Sequence, residues 1–470
     1  MKNQAGTLKI EKDLTKGNLL KQMIAFAIPL ILSNVLQKVF NTADIAVLGF
    51  FVGDTAVAAV GSTGSLVSLM LNFFLGFSVA ENIIVSKYLG QKREEDIKKV
   101  IGLSIPLSLV FGIFLAVVCN VFARDILILM ECPENVLDLA VKYITIYFVG
   151  MPIVLLYNFF ASILRASGDS KTPLYYLIIA GIINVALNVF FVVVLKMDVE
   201  GVAIATVVAQ AVAAALCFIK LVKANGAVKM DFKYVRFYKK QTLNIFTVGL
   251  PAGLQSSLFA LANVIIQATI NKFGDLAMAG SAYASEIDTY TYLVMNSVAV
   301  SLMSFISQNY GARNLERIKK SIIYATMIVI TLGLIVGISC LFLTVPILRL
   351  ITNDEVVIDY AFKKMLIVAP SHILCGLMEV FSLSLRSLGK SVESMIICLC
   401  GSTIFRIIYV NLIYYTLHDD MLVFSAFPIS WFMTSAVLLW YLLLQLKKVK
   451  QKFENEKPKM EIIGIAKNGN

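Results

Sequence analysis

An acid at position 44 lies inside a long apolar run, in the order Val39-Phe40-Asn41-Thr42-Ala43-Asp44. A carboxylate at membrane depth is costly to keep and marks a functional candidate. Further along, Asn184 and Asn188 stand four residues apart, which puts both amides on one helix face. Thr206 closes the segment Gly201-Val202-Ala203-Ile204-Ala205-Thr206. Asp44 with oxygens from Asn184, Asn188 and Thr206 would suit a proton or a small hard cation such as sodium. Plainer readings stand beside this one. Asp44 would be a helix-end carboxylate facing water, and the asparagines would bond between helices. Lys38, in the same run, would pair with an acid or line a cavity.

The second half carries its acids elsewhere, within Ala284-Ser285-Glu286-Ile287-Asp288-Thr289-Tyr290-Thr291-Tyr292. Asp288 and Tyr292 share a helix face, while Glu286 points roughly 160° away from Asp288. Asp288 lies deeper in the run and is the better candidate. Glu379 and Arg406 also lie among apolar residues. Asp288, Tyr292, Glu379 and Arg406 form a second candidate set, for coupling or for substrate. For Arg406 the plain reading is an ion pair with an acid, because a buried guanidinium needs a partner. Glu81 stands near the end of its run and is expected to face water. Tyr283, Tyr290, Tyr292 and Met295 would line an adaptable cavity for flat cations; packing is the plain alternative.

The elements that position these groups are membrane helices. Hydrophobic residues make up 59% of the chain and charged residues 15%, against about 25% charged in soluble proteins. The charges fall between apolar runs of about 20 residues or more, each enough to cross a bilayer as a helix. Twelve such runs follow one another, from roughly 20–46 to roughly 421–446. A basic linker divides them into six and six. The expected organisation is a tail at 1–18, a six-helix bundle at 19–222, a linker at 223–241, a second bundle at 242–446 and a basic tail at 447–470. Lys and Arg crowd both tails, the linker and alternate loops. By the positive-inside rule both termini are cytoplasmic, in a multi-pass protein of the inner (cytoplasmic) membrane. The net charge of +11 is then topology rather than a nucleic-acid surface.

The chain also repeats itself. Gly53-Asp54 recurs as Gly274-Asp275, Tyr88-Leu89-Gly90-Gln91-Lys92 as Asn309-Tyr310-Gly311-Ala312-Arg313, and Leu164-Arg165 as Leu385-Arg386, all 221 residues apart. Pro29 and Pro251 differ from that offset by one. Six helices is an even number, so both halves enter the membrane in the same direction, as parallel repeats. The fold class expected is an all-α membrane protein of twelve transmembrane helices in two parallel-repeat bundles. Such duplication in an apolar chain points to transport.

Other chemistries lack their residues. The seven cysteines form no CxxC pair, and His372 and His418 have no ligand-spaced partner. No nucleotide-binding lysine motif, nucleophile elbow or HExxH is present. No catalytic residue, metal or cofactor is expected, and energy would have to come from an ion gradient.

Several segments resemble the multidrug and toxic compound extrusion (MATE) transporters. They are Pro29, then Asn41-Thr42-Ala43-Asp44, Leu48-Gly49 and Ala56-Val57-Ala58-Ala59-Val60-Gly61; Leu164-Arg165-Ala166-Ser167-Gly168-Asp169 with Pro173; Asn184 to Asn188 with Gly201 to Thr206; and Ser307-Gln308-Asn309-Tyr310-Gly311-Ala312. The likeness runs from about residue 17 to about 446. It implies two bundles in a V around a central cavity, working as a monomer. It implies export of amphipathic, often cationic small molecules in exchange for sodium or protons. It assigns Asp44, Asn184, Asn188 and Thr206 to an N-terminal cation site. Two departures stand out: many members have Asp where this chain has Asn188, and one branch has Glu where it has Phe259. The rivals are a lipid-linked oligosaccharide flippase of the same superfamily, which predicts a broader basic cavity, and a non-transporting membrane receptor.

Overall fold

The computed structural model describes residues 13–350 and 352–467, the side chains of 420 and 457–467 aside. Lys2, Lys9 and Lys12 of the expected basic tail lie outside the described residues, as do the side chains of Lys457, Lys459 and Lys467. No strand occurs among the described residues. The first half comprises α1 (Leu19–Phe51), α2 (Asp54–Gly90), α3 (Glu94–Leu129), α4 (Glu134–Val149), α5 (Met151–Ala166), α6 (Lys171–Val189) and α7 (Val199–Val222). The second comprises α8 (Lys239–Asn271), α9 (Asp275–Gly311), α10 (Leu315–Leu348), α11 (Glu355–Ser387), α12 (Ser391–Cys398), α13 (Phe405–Thr416), α14 (Asp420–Phe424) and α15 (Ala426–Lys467). Among the described residues eleven spans are long and apolar enough to cross a membrane. The twelfth is the pair α4 and α5, bent by 48° where Pro152 removes a helical hydrogen bond. π-helical turns sit at Phe190–Val194 and at Leu399–Ile404, the latter joining α12 to α13.

The repeated segments are turns. Gly53 and Gly274 have φ of 125° and 108°, and Gly168 and Gly389 have φ of 87° and 82°. Glycine alone adopts such angles without strain. Asp54 and Asp275 then open the following helices with a negative charge, favoured at a helix N-terminus.

Among the described residues each lobe has one large apolar core, and the second lobe has a smaller one around Ala284, Leu348 and Met365. Two helices cross between the large cores. The first turns of α1 pack on the second lobe through Met23, Phe26 and Leu30, whereas Leu48 belongs to the first. Helix α8 does the converse, with Ile245 in the first core and Ile266 and Ile270 in the second. Pro29 and Pro251 lie inside these two crossing helices.

The lobes meet at the end that carries the basic loops. There α2 from Phe74 to Tyr88 and α9 from Met295 to Gly311 are largely buried, while their opposite ends are largely open. A Cβ on Gly90 would strike the carbonyl oxygen of Gln308, and one on Gly311 would strike that of Lys87. These contacts mirror each other at the 221-residue offset, so the repeat supplies a self-complementary seam. Gln308 Nε2 donates to the Ala166 carbonyl (2.8 Å), and Ser304 Oγ donates to Asn82 Oδ1 (3.1 Å) and the Arg165 carbonyl (3.3 Å). The result is a V closed at its basic end.

Candidate cation and substrate sites

Helices α1, α6 and α7 bring Asp44, Asn184, Asn188 and Thr206 together in the first lobe. Asn188 Nδ2 donates to Asp44 Oδ1 at 2.5 Å, and Thr206 Oγ1 donates to Asp44 Oδ2 at 3.3 Å. Asn184 Nδ2 reaches Thr206 Oγ1 at 3.4 Å, and Asn188 Nδ2 reaches Asn184 Oδ1 at 3.5 Å. The i, i+4 spacing of the asparagines on α6 makes this geometry possible. Asp44 is 8% exposed, so it is not a carboxylate facing water. Among the described residues no Lys, Arg or His lies within salt-bridge distance of it. Asn188 Oδ1 is buried without a hydrogen-bond partner. Beside the carboxylate is a cavity of about 30 Å³ lined by Phe40, Gly181, Asn184, Thr206 and Gln210, among others. That is room for a water or one small ion, and far too little for a drug.

The second lobe presents a different wall. Asp288 Oδ1 lies 3.3 Å from His372 Nε2, and its side chain is 23% exposed. His372 stacks edge-on to Trp431 at 5.1 Å. Arg406 lies over Phe427 (4.5 Å) and Trp431 (5.5 Å), and its Nε and Nη2 both donate to Ser430 Oγ. The ion pair with an acid expected for Arg406 does not form among the described residues; ring faces and a hydroxyl take its place. Tyr292 is open, and Asn296 donates weakly to its hydroxyl (3.5 Å). Glu379 is half-buried on α11, near Arg386. Glu286 turns away from Asp288 and pairs with Lys38 (2.8 Å), a bond that runs from α9 to α1.

Two segments of equal length now decide the family. The MatE profile matches residues 29–190 and again 251–412. The chain belongs to the multidrug and toxic compound extrusion (MatE) family. Its family comprises membrane transporters, so this MatE chain is a multi-pass membrane protein of a multidrug efflux family. The chain is 29% identical to the probable multidrug resistance protein YoeA of Bacillus subtilis (strain 168), over 80% of its own length and 82% of that protein. It is 30% identical to the probable multidrug resistance protein YpnP of the same strain, over 65% and 68%. A solved outward-facing conformation of a multidrug resistance MATE family transporter of the MOP superfamily superposes with a TM-score of 0.88. The two are 19% identical, over 95% of this chain and all (100%) of that one.

One more expectation for this MatE chain needs correction. Glu81 does not face water: it is fully buried in the first lobe, accepting from Ser104 Oγ, with Arg165 nearby. Lys364 was missed altogether. It is 4% exposed and donates to the Ser281 carbonyl (2.9 Å), Ser281 Oγ (3.0 Å) and Ser285 Oγ (2.6 Å). The signal was present, since a lysine in an apolar span needs a reason, but Lys363 beside it is exposed and the pair reads as a helix end.

Proposed function

We propose that this protein is a secondary active efflux antiporter. It exports amphipathic organic compounds, cationic ones among them, in exchange for sodium ions or protons, by alternating access between its lobes. The observation that carries the reading is Asp44: a buried carboxylate held only by neutral groups, beside a cavity of ion size. A buried charge without a partner is expensive. An arriving cation removes that cost, and a ligand that stabilises one state of a poised equilibrium shifts it.

The shape supports the same reading. A V sealed at one end is one of the two states that alternating access requires. If the basic loops are cytoplasmic, the cavity here opens to the outside. Pro29 and Pro251 lie in the two helices shared by both lobes, where bending would link ion binding to lobe movement. The wall with Asp288 and the exposed Tyr292 lies in the other lobe and supplies a surface for substrate separate from the ion cavity.

The test is transport by purified protein in liposomes, under either an imposed sodium gradient or an imposed pH gradient. Export of a fluorescent organic cation should follow one gradient and be lost in Asp44→Asn. Gradient-driven export by Asp44→Asn at the wild-type rate would refute the assignment.

A further inference from the structure

The lobes are copies, so each residue of the Asp44 pocket has a mirror in the second lobe. Burial shows which. From Tyr175 to Ile179 the run of exposed and buried positions repeats at Ile396–Cys400, an offset of 221. From Gly181 to Asn188 it repeats at Thr403–Val410, an offset of 222. The step falls inside the π-helical turn Leu399–Ile404, and such a turn holds one residue more than an α-helical one. Positions 202–209 repeat at 423–430, offset 221, and 41–44 at 263–266, offset 222.

The mirror of Asp44 is therefore Ile266. That of Asn184 is Arg406, that of Asn188 is Val410, and that of Thr206 is Phe427. The contact from Asn184 to Thr206 becomes the contact of Arg406 over the Phe427 ring. Where the first pocket holds a carboxylate among neutral groups, its mirror holds a guanidinium among neutral groups. The polarity of the pocket is inverted.

Arg406 is 2% exposed. Of the five N–H donors on a guanidinium, two find an acceptor among the described residues, both on Ser430. Lys364 on the same wall bonds only to serine oxygens. Neither cation lies within salt-bridge distance of a carboxylate among the described residues. Arg406 is then a buried cation without a carboxylate counter-ion, which is costly, and a bound anion would offset that cost. Asp288, the acid of this wall, lies 3.3 Å from His372 Nε2 and acts electrostatically on Lys364 as well.

We propose that this wall is a subsite for the anionic group, carboxylate or phosphate, of an amphiphilic substrate. Arg406 anchors the anion by charge-assisted bonds, Lys364 adds a second charge, and the half-buried Phe427 and exposed Tyr292 supply apolar contact to its aromatic part. The proposal rests on the efflux reading and adds the substrate class.

The experiment compares rhodamine 110, which has a free carboxylate, with rhodamine 123, its methyl ester. Equilibrium binding to the purified full-length protein is measured by fluorescence polarisation, without any gradient. Wild type should bind rhodamine 110 about tenfold or more tightly than the ester, the worth of one charge-assisted bond. In Arg406→Gln the ratio should fall to about one, with Arg406→Lys in between. A folding defect lowers both affinities together, so the ratio reports recognition of the anion. If Arg406→Gln cannot be purified, Lys364→Met decides, and an unchanged ratio there overturns the proposal. Equal binding of the two dyes by wild type, binding of neither, or an intact preference in Arg406→Gln also overturns it. Asp44→Asn should leave the ratio alone, which separates failure of this subsite from failure of ion coupling.

Discussion

Replacing Gly311 by Ala should open the sealed end of the V. The added methyl would fall on the Lys87 carbonyl oxygen, which is backbone and cannot rotate aside. A carbon and a carbonyl oxygen settle at about 3.3–3.6 Å, so α2 and α9 must part by about 1 Å. Among the described residues three hydrogen bonds run from α9 to α2 and α5 of the first lobe, from Gln308 to Ala166 and from Ser304 to Asn82 and Arg165. At about 1 kcal/mol net each, their loss disfavours this state by about 3 kcal/mol, a shift of about 150-fold in population. Gly90→Ala should act alike, because its methyl would meet the Gln308 carbonyl in the mirrored contact. The assay is a spin-label distance between Glu95→Cys and Glu316→Cys, exposed positions at the starts of α3 and α10, with the seven native cysteines replaced. The distribution should move to longer distances in Gly311→Ala. Gly64→Ala is the control: it makes the same change on α2, where nothing lies within 4 Å of the new methyl. An unmoved distribution in Gly311→Ala, or an equal movement in Gly64→Ala, would refute the seam.

Other expectations follow from single contacts. Asn188→Asp sets a second carboxylate against Asp44, at the position where the amide now bonds at 2.5 Å. Two such acids hold a shared cation more tightly, so half-saturation for the coupling ion should fall; no change in ion dependence would count against the pocket. In Gly181→Ala the new methyl collides with the Phe40 ring, and both residues line the ion cavity. Ion affinity should weaken while binding of the organic substrate holds, as read by separate ion and dye titrations. Lys38→Met removes the pair with Glu286, whose side chain is 69% exposed. Such pairs are worth at most about 1 kcal/mol, so the thermal midpoint should stay within about 3 °C of wild type; a larger fall would show that the pair carries more of the lobe contact.

The first-lobe cluster was legible because its residues break the local rule. A carboxylate in an apolar run, and two amides one helical turn apart, are conspicuous in any listing of the chain, and Asp44, Asn184, Asn188 and Thr206 do come within bonding reach. The second lobe was less legible. Its chemistry depends on which helices lie side by side: α9 supplies Asp288 and the serines around Lys364, α11 supplies Lys364 and His372, and α13 and α15 supply Arg406 and its rings. Partners 79 to 84 residues apart, as between Lys364 and Ser285 or His372 and Asp288, carry no local signal. Glu81 misled for the converse reason. Its distance from the helix end suggested water, but α3 and α5 pack over it.

What the sequence determined by itself was the bilayer setting, the twelve spans, the duplication and the family. These follow from composition, period and repetition, which are properties of the chain before it packs. The tertiary structure decided how the halves share α1 and α8, which end of the V is closed, and how the repeats register. That last point is physical. One extra residue in the turn Leu399–Ile404 rotates everything after it by roughly 100°, so a single offset of 221 would pair Asn184 with Phe405. Only burial in the folded chain pairs it with Arg406, and with that the two lobes acquire pockets of opposite charge.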